Sequence, residues 1–595
     1  MDVVYLGILA AGILVAAGWA GGIRPSVLCL VSAWLALGVF RAARRGYGGR
    51  PAQPGVLLLA LVGLTAAWLL ATAVPLPASV LNRAGETRAA ITSRAAAAID
   101  TATGLGWTLP ARGGFSLSLN RAGTLRTLAL FLAVCAAASL SACLIHPHRR
   151  RLLGFLVAFG VAQAGAACFS RYGAPATRLW WVFDVGGAAT FGSFINPNHL
   201  GGLLAMLTPA CIALAAVEMQ NRHWRWAAVW MSALVVLVVG IVASQSRGAF
   251  ILLAVALVVS AAMVSRRASR TAGVAITLLL CLGLLVFSAI DLPRIDTELR
   301  SLKESRLDSR IDVWREAGRV WRDFPLVGVG AEGFRTVSRA YDTGAFGYTA
   351  HHAESTYLQI LADGGIAGVL LALLLAAAFA VCAVRSYRAG HVHDPEFTAV
   401  MGGVSVALVH GLFDVPIHVL PYALVLAALA GMLAALRRPN ASGSGPRVTP
   451  WRPLVVAAAI PAPLMLCVWL LCGRDMGERD RYAFVAAAAP TQLLDNLRWT
   501  PAYWANWYYL GCAATATRDA DRSRFVFGER CLTRATEMDP GNAHAWQNLA
   551  VLRRRLGDEP GTAAAVARYR ELGPPPVPAP EEDQTTPENA APPSP

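Results

Sequence analysis

Val56–Val74 reads VLLLALVGLTAAWLLATAV, without one ionisable residue. That length is close to the roughly 20 apolar residues that carry a helix across a bilayer. Trp226–Ala243, Thr271–Ile290 and Pro453–Cys472 read the same way. A core helix of a soluble protein would show a polar face, and these do not. Working outward from these blocks, spans are expected at 4–20, 25–40, 56–74, 123–145, 152–170, 198–218, 226–243, 248–265, 271–290, 358–383, 397–413, 418–436 and 453–472. The expected fold is all-α: a polytopic transmembrane helical bundle followed by a C-terminal soluble helical-repeat domain. The composition agrees, with 56% hydrophobic and only 15% charged residues in 595.

Arginines test the span count. They cluster at Arg41–Arg50, Arg149–Arg151, Arg222–Arg225, Arg266–Arg270, Arg385–Arg388 and Arg437–Arg452, which is every second loop. Short basic loops stay cytoplasmic. The N-terminus is then cytoplasmic, and the long 291–357 loop and the region after the last span lie outside. Val4–Ala20 lacks a basic leader and is followed at once by Pro25–Phe40, so it is expected to be an anchor rather than a cleaved signal.

The net charge of +16 attracts phosphates in general. Here the positive residues fill the gaps between spans, where they set topology and meet anionic lipid, so no nucleic-acid partner is expected. Most cysteines sit inside apolar blocks, and no Cys/His spacing suits zinc, so no metal or cofactor is expected. Cys512 and Cys531 lie in the polar C-terminal part, where a disulfide is conceivable outside the cell.

From about 473 to 572 the chain turns polar and helical. Pro501–Gly511 and Pro540–Ala550 resemble each other: a tryptophan six residues after the proline opens Trp507-x-x-Leu510-Gly511 in one and Trp546-x-x-Leu549-Ala550 in the other. This resembles the tetratricopeptide repeat, although the period is a few residues long and two copies are few. An ordinary helical domain is the plain alternative. Residues 573–595 are rich in proline and acid and are expected to be disordered.

Four segments on the outer side carry unusual chemistry. His351-His352-Ala353-Glu354-Ser355-Thr356-Tyr357-Leu358-Gln359 pairs histidines with a carboxylate at a membrane boundary, where they can take a proton from a hydroxyl. The plain reading is a helix cap by Ser355 or Glu354. Phe191–His199 sets Asn196 and Asn198 around Pro197, amides suited to sugar hydroxyls; the plain reading is an Asn-capped, Pro-initiated helix. Arg247 stands in the Ser244–Gly248 turn between two spans, a costly depth unless it is paired or solvated. Snorkelling to the interface explains it equally well. Arg310 and Trp314 share a helical face at i and i+4, ahead of Phe324–Gly330.

Taken in chain order, from Phe191–His199 through Ser244–Gly248, Arg310–Trp314 and Phe324–Gly330 to His351–Gln359, these segments resemble the O-antigen ligase and polymerase superfamily, over roughly residues 56–436. The resemblance implies a bacterial inner-membrane enzyme that transfers glycan from an undecaprenyl-pyrophosphate donor to another lipid-linked glycan, a lipid A-core acceptor or a protein, without metal. It implies that Arg247 and Arg310 hold the pyrophosphate, with Asn196, Asn198 and Tyr357 as further substrate contacts. Many ligases carry His-Asn ahead of the Tyr-Leu pair, where this chain has Glu354-Ser355, so the base is left open between His352 and Glu354. An extended segment would let Glu354 orient His352, whereas a regular helix would turn them apart.

Two rivals from other classes stand beside this reading. A transporter would show ionisable residues at mid-span or paired broken helices, and the sequence shows neither clearly. A membrane-anchored scaffold would act through the repeat-like region, which is in any case the expected docking surface for a protein partner.

Overall fold

The computed structural model describes residues 2–18, 25–44, 53–107, 114–144, 146–172, 178–179, 183–184, 191–264, 306–342, 350–436, 490–516 and 521–573. The expected spans at 271–290 and 453–472, and the tail at 574–595, lie outside the described residues.

Three apolar helices come first: α1 (Asp2–Gly18), α2 (Pro25–Arg44) and α3 (Gln53–Ala73). The segment after α3 holds α4 (Ala78–Arg83) and α5 (Glu86–Gly104), and α6 (Arg121–Ala142) and α7 (His146–Tyr172) follow. A two-residue antiparallel ribbon, β1 (Arg178–Leu179) and β2 (Phe183–Asp184), precedes α8 (Pro197–Gln220), α9 (Trp224–Ser244) and α10 (Arg247–Val264). The large loop contributes α11 (Arg306–Asp323) and α12 (Phe334–Tyr341). Beyond it come α13 (Thr356–Arg388), α14 (Pro395–His410) and α15 (Leu420–Ala435). The C-terminal helices are α16 (Pro490–Trp499), α17 (Trp504–Thr515), α18 (Arg522–Met538), α19 (Ala543–Leu556) and α20 (Glu559–Leu572).

The protein is an all-α polytopic membrane protein. Among the described residues, α6 to α10 and α13 are each long and apolar enough to cross a membrane. Their burial separates two kinds of helix. In α8, 94% of the most apolar stretch is buried inside the bundle, packed by α9, α10 and α14. In α13 the share is 22%, and Leu370, Leu373, Leu374, Val381 and Val384 point outward. An apolar row of that length facing water would be an aggregation surface; facing lipid, it is ordinary.

One break in α13 fixes the large loop to the bundle. Gly365 has φ 58°, so the helix stops and restarts there. The freed backbone is taken up by the Pro325–Gly330 turn: Val329 and Gly330 N–H donate to the carbonyls of Ala362 and Asp363, at 3.0 and 2.8 Å. In return Ile366 and Ala367 N–H donate to Pro325 and Leu326, at 2.9 and 3.0 Å. A broken membrane helix persists only where something else satisfies its backbone, and the loop does so here. Asp363 is consumed in the same joint, accepting from the Glu332 and Phe334 N–H groups and from Gln359 Nε2. So α13 carries a buried carboxylate near its start and a single break. The carboxylate is tied by three donors, however, and the break is filled by the protein's own loop.

A buried arginine holds the turn from its other side. Arg88 of α5 is 1% exposed and donates to the carbonyls of Gly328 and Ala84, with its guanidinium over the Phe324 ring. Burial lowers its pKa to about 10, which leaves it charged at neutral pH.

The opposite stretch of α5 meets the C-terminal helices. Ala95, Ala98, Ile99, Ala102 and Trp107 share a core with Leu493, Leu494, Leu497, Trp507 and Phe527. Arg94–Glu537 and Arg339–Asp539 pair at the edges. The two similar sequence segments do fold alike. Trp507 and Trp546 each donate their indole N–H to the proline carbonyl six residues earlier, both at 2.9 Å. Gly511 lets α18 come close, since a Cβ there would meet Leu532 at 2.8 Å. Cys512 and Cys531 are free thiols, not a disulfide.

Candidate functional site

The end of the bundle beside the large loop gathers side chains from five places in the chain. The first is the start of α8. Asn196 is its N-cap, accepting from Asn198 N–H at 2.9 Å, with Pro197 at the first helical position. The plain reading of this asparagine therefore holds. Asn198 does something else: its Oδ1 accepts from Ser246 Oγ at 2.7 Å, tying α8 to the turn before α10. Arg247 follows Ser246 directly and is exposed at that turn.

The second place is α11. Arg310 and Trp314, one turn apart, both reach Glu354: Arg310 Nε lies 3.9 Å from its carboxylate and Trp314 Nε1 lies 3.5 Å from its carbonyl. Arg310 and Glu354 are each 37% exposed. A pair that open contributes about 0–1 kcal/mol to folding, so its position at the site carries more meaning than its strength.

The third is the segment before α13. Residues 351–355 are not helical, and Glu354 takes φ 50°. Ser355 occupies the N-cap position of α13, but its hydroxyl donates to Gly411 carbonyl instead of capping the helix. His352 and Glu354 turn to different partners, so the oriented pair weighed from the sequence does not form. His352 packs edge-on against His418, with ring centroids 5.4 Å apart. Burial, with His418, His351 and Arg335 nearby, lowers its pKa to about 3. Glu354 moves the opposite way: burial and the Asp414 charge raise its pKa, against Arg310 and His199, which lower it. Tyr357 points away from these groups and donates to Leu408 carbonyl at 2.8 Å.

The fourth place is the link from α14 to α15, which the sequence reading passed over. Asp414 Oδ1 is 3.0 Å from His199 Nε2, and its Oδ2 is 3.7 Å from His410 Nε2. His410 Nδ1 in turn lies 3.3 Å from Tyr422 Oη. Despite burial, which opposes it, the two histidines hold the Asp414 carboxyl well below the usual range. Thr356 N–H and Oγ1 both donate to Asp414 carbonyl, at 3.0 and 2.9 Å, placing this carboxylate beside the start of α13. The fifth is Arg126 of α6, paired with Glu332 and electrostatically close to His418.

Residues 232–373 match the O-antigen ligase family. The match takes in Arg247, Arg310, His352, Glu354 and Tyr357. It leaves Asn196, Asn198, His199, His410, Asp414 and His418 outside. No curated protein matches the chain. The family match points to membrane glycosyl transfer in polysaccharide assembly, and the matched segment coincides with the break in α13, the loop that fills it and the Arg310–Glu354 pair.

His199 lay inside a segment read for its asparagines. The signal for His410 and Asp414 was two ionisable residues closing an apolar run, which is a functional candidate by default.

Proposed function

We propose that this protein transfers glycan from an undecaprenyl-pyrophosphate donor to a hydroxyl of a second glycan, at the outer face of a bacterial inner membrane. The observation that carries the reading is Arg310 and Glu354 converging at the end of the bundle beside the large loop, inside the segment matched to O-antigen ligase. Arg310 and Arg247 would grip the pyrophosphate, since guanidinium forks suit phosphate oxygens, and would meet the charge that develops as it leaves. Glu354 would take the proton. Its raised pKa makes it a stronger base than an ordinary carboxylate, whereas the lowered pKa of His352 makes it a weak one. The hydroxyl oxygen then bonds to the anomeric carbon, and the carbon–oxygen bond to pyrophosphate breaks with its electron pair going to the phosphate.

The acceptor is a lipid-linked glycan in a polymerase and lipid A core in a ligase, and the site geometry serves both. Packing of the C-terminal helices on α5 supports placing them outside the membrane with the large loop. There the tetratricopeptide-like pair would offer a surface to a protein partner. Reconstitution with a lipid-linked oligosaccharide, followed by gel analysis of product length, tests the reading. A ladder indicates polymerisation, and a single shift on added lipid A core indicates ligation. An unchanged donor with every acceptor contradicts both.

A further inference from the structure

Four side chains form a line from the bundle interior to the site: Tyr422, His410, Asp414 and His199. Exposure rises along it. The side chain of His410 is 1% exposed, Asp414 8% and His199 17%. The packing around this line is close. Gly202, one turn after His199 on α8, faces the His410 ring so tightly that a Cβ there would collide with it. Asp414 is fixed further by Val415 N–H on Oδ1 at 2.7 Å, and its carbonyl is held by Thr356.

This arrangement decides which nitrogen of His199 is available. An ionised carboxylate only accepts hydrogen bonds, so Nε2 carries a proton toward Asp414, and in the neutral ring Nδ1 keeps its lone pair. Among the described residues nothing donates to Nδ1. Glu354 stands two residues before Thr356, whose N–H and Oγ1 donate to the carbonyl of Asp414, the carboxylate that holds His199, and it is likewise an acceptor when ionised. Two acceptors side by side suit a neutral, hydroxyl-bearing sugar and repel a pyrophosphate.

We infer that His199 and Glu354 together form the acceptor-sugar subsite, in which Glu354 addresses the attacking hydroxyl and His199 Nδ1 accepts from a second hydroxyl of the same sugar, with Asp414 as the positioning residue that sets the His199 tautomer. The inference rests on the glycosyl-transfer reading and adds to it the side on which the acceptor binds. It also sets a specificity rule: an acceptor sugar lacking that second hydroxyl is a poor substrate.

The test uses the full-length reconstituted protein with a synthetic lipid-linked trisaccharide as acceptor, and with the mono-deoxy analogues of its terminal sugar. For the wild type, one analogue should raise the acceptor KM roughly ten-fold, the size of one lost hydrogen bond. His199→Ala should raise the KM for the parent acceptor by a similar factor and be indifferent to that analogue, with donor KM unchanged. His199→Gln, which keeps an acceptor atom, should recover part of the loss. Asp414→Asn should raise acceptor KM in the same direction, because an amide no longer dictates the tautomer. An unchanged acceptor KM in His199→Ala, or the wild-type ranking of analogues retained by it, overturns the inference while leaving the transfer reading intact. A rise in donor KM equal to the rise in acceptor KM overturns it too, since that marks a general structural fault. Wild type that transfers to no acceptor sinks the underlying reading, and the inference with it.

Discussion

Arg310 Nε stands 3.9 Å from Glu354 Oε2, bringing the middle of the large loop onto the segment that opens α13. This one contact places a guanidinium and a carboxylate of opposite duties at the same mouth, one suited to phosphate and one to a hydroxyl proton.

Arg310→Ala and Arg247→Ala should each lower transfer by at least 100-fold, in the range seen when one charge-stabilising group is removed from a transition state. Lysine should restore little, because a point charge lacks the paired donors. Folding should hardly change, given the exposure of Arg310. Transfer assays with circular dichroism on the same preparations check this; near-normal rates in both alanine variants would remove the phosphate site.

The acid limb of the pH–rate profile should lie above the ordinary glutamate value of about 4.3. Glu354 must be ionised to take a proton, and burial with Asp414 nearby raises its pKa, so activity falls as pH drops through that raised value. Arg310 lowers it, so Arg310→Ala should move the limb further up in whatever activity remains. Glu354→Gln should abolish transfer, and His352→Gln should retain a substantial part. The reverse order would make His352 the base.

Much of this site was legible in the sequence, and the part that was not has a common physical cause. The i, i+4 spacing of Arg310 and Trp314 put them on one helical face, and the helical backbone of α11 brings both to Glu354. The Asn-Pro-Asn element foretold an N-cap. Spacing could not reveal that Glu354 would adopt a left-handed conformation, because that depends on the Gly411 and Asp414 carbonyls seizing Ser355 and Thr356 from a distant helix end. The same long-range pairing hid Asp414. The break in α13 falls at Gly364-Gly365, but spacing along the chain does not show that the distant Pro325–Gly330 turn fills it.

Gly365→Ala should disconnect the large loop. Its φ of 58° with ψ −158° is a region essentially reserved for glycine, costing another residue about 1–3 kcal/mol, and the added Cβ would also meet Gly328 N and Pro325 O at 2.6 Å. Those contacts are backbone, so neither side can yield cheaply. Limited proteolysis should cut the large loop faster than in wild type, and transfer should fall with it. Gly63→Ala, in open space on α3, should behave as wild type in both assays.

Glu316 makes the large loop sensitive to alkali. It is 2% exposed on α11, and burial with Asp342 and Asp312 nearby raises its pKa to about 7, against a smaller opposing effect of Arg319. A carboxyl whose folded pKa is raised favours the folded state when protonated. That stability is present in full below about 4.3 and is lost as pH rises through about 7. Melting temperatures measured between pH 5 and pH 8.5 should therefore decline for wild type, and Glu316→Gln should flatten the decline. An equal slope in the variant would place the alkaline sensitivity elsewhere.

Glycosyl transfer breaks the donor's glycosyl bond, whereas transport moves the intact donor across the bilayer. Proteoliposomes loaded with doubly labelled lipid-linked oligosaccharide, one label in the sugar and one in the undecaprenyl pyrophosphate, separate the two. With transfer, sugar label should enter a longer glycan while free undecaprenyl pyrophosphate appears in a one-to-one ratio, and Glu354→Gln should stop both. Intact donor arriving on the opposite leaflet, with neither label separated from the other, would contradict transfer.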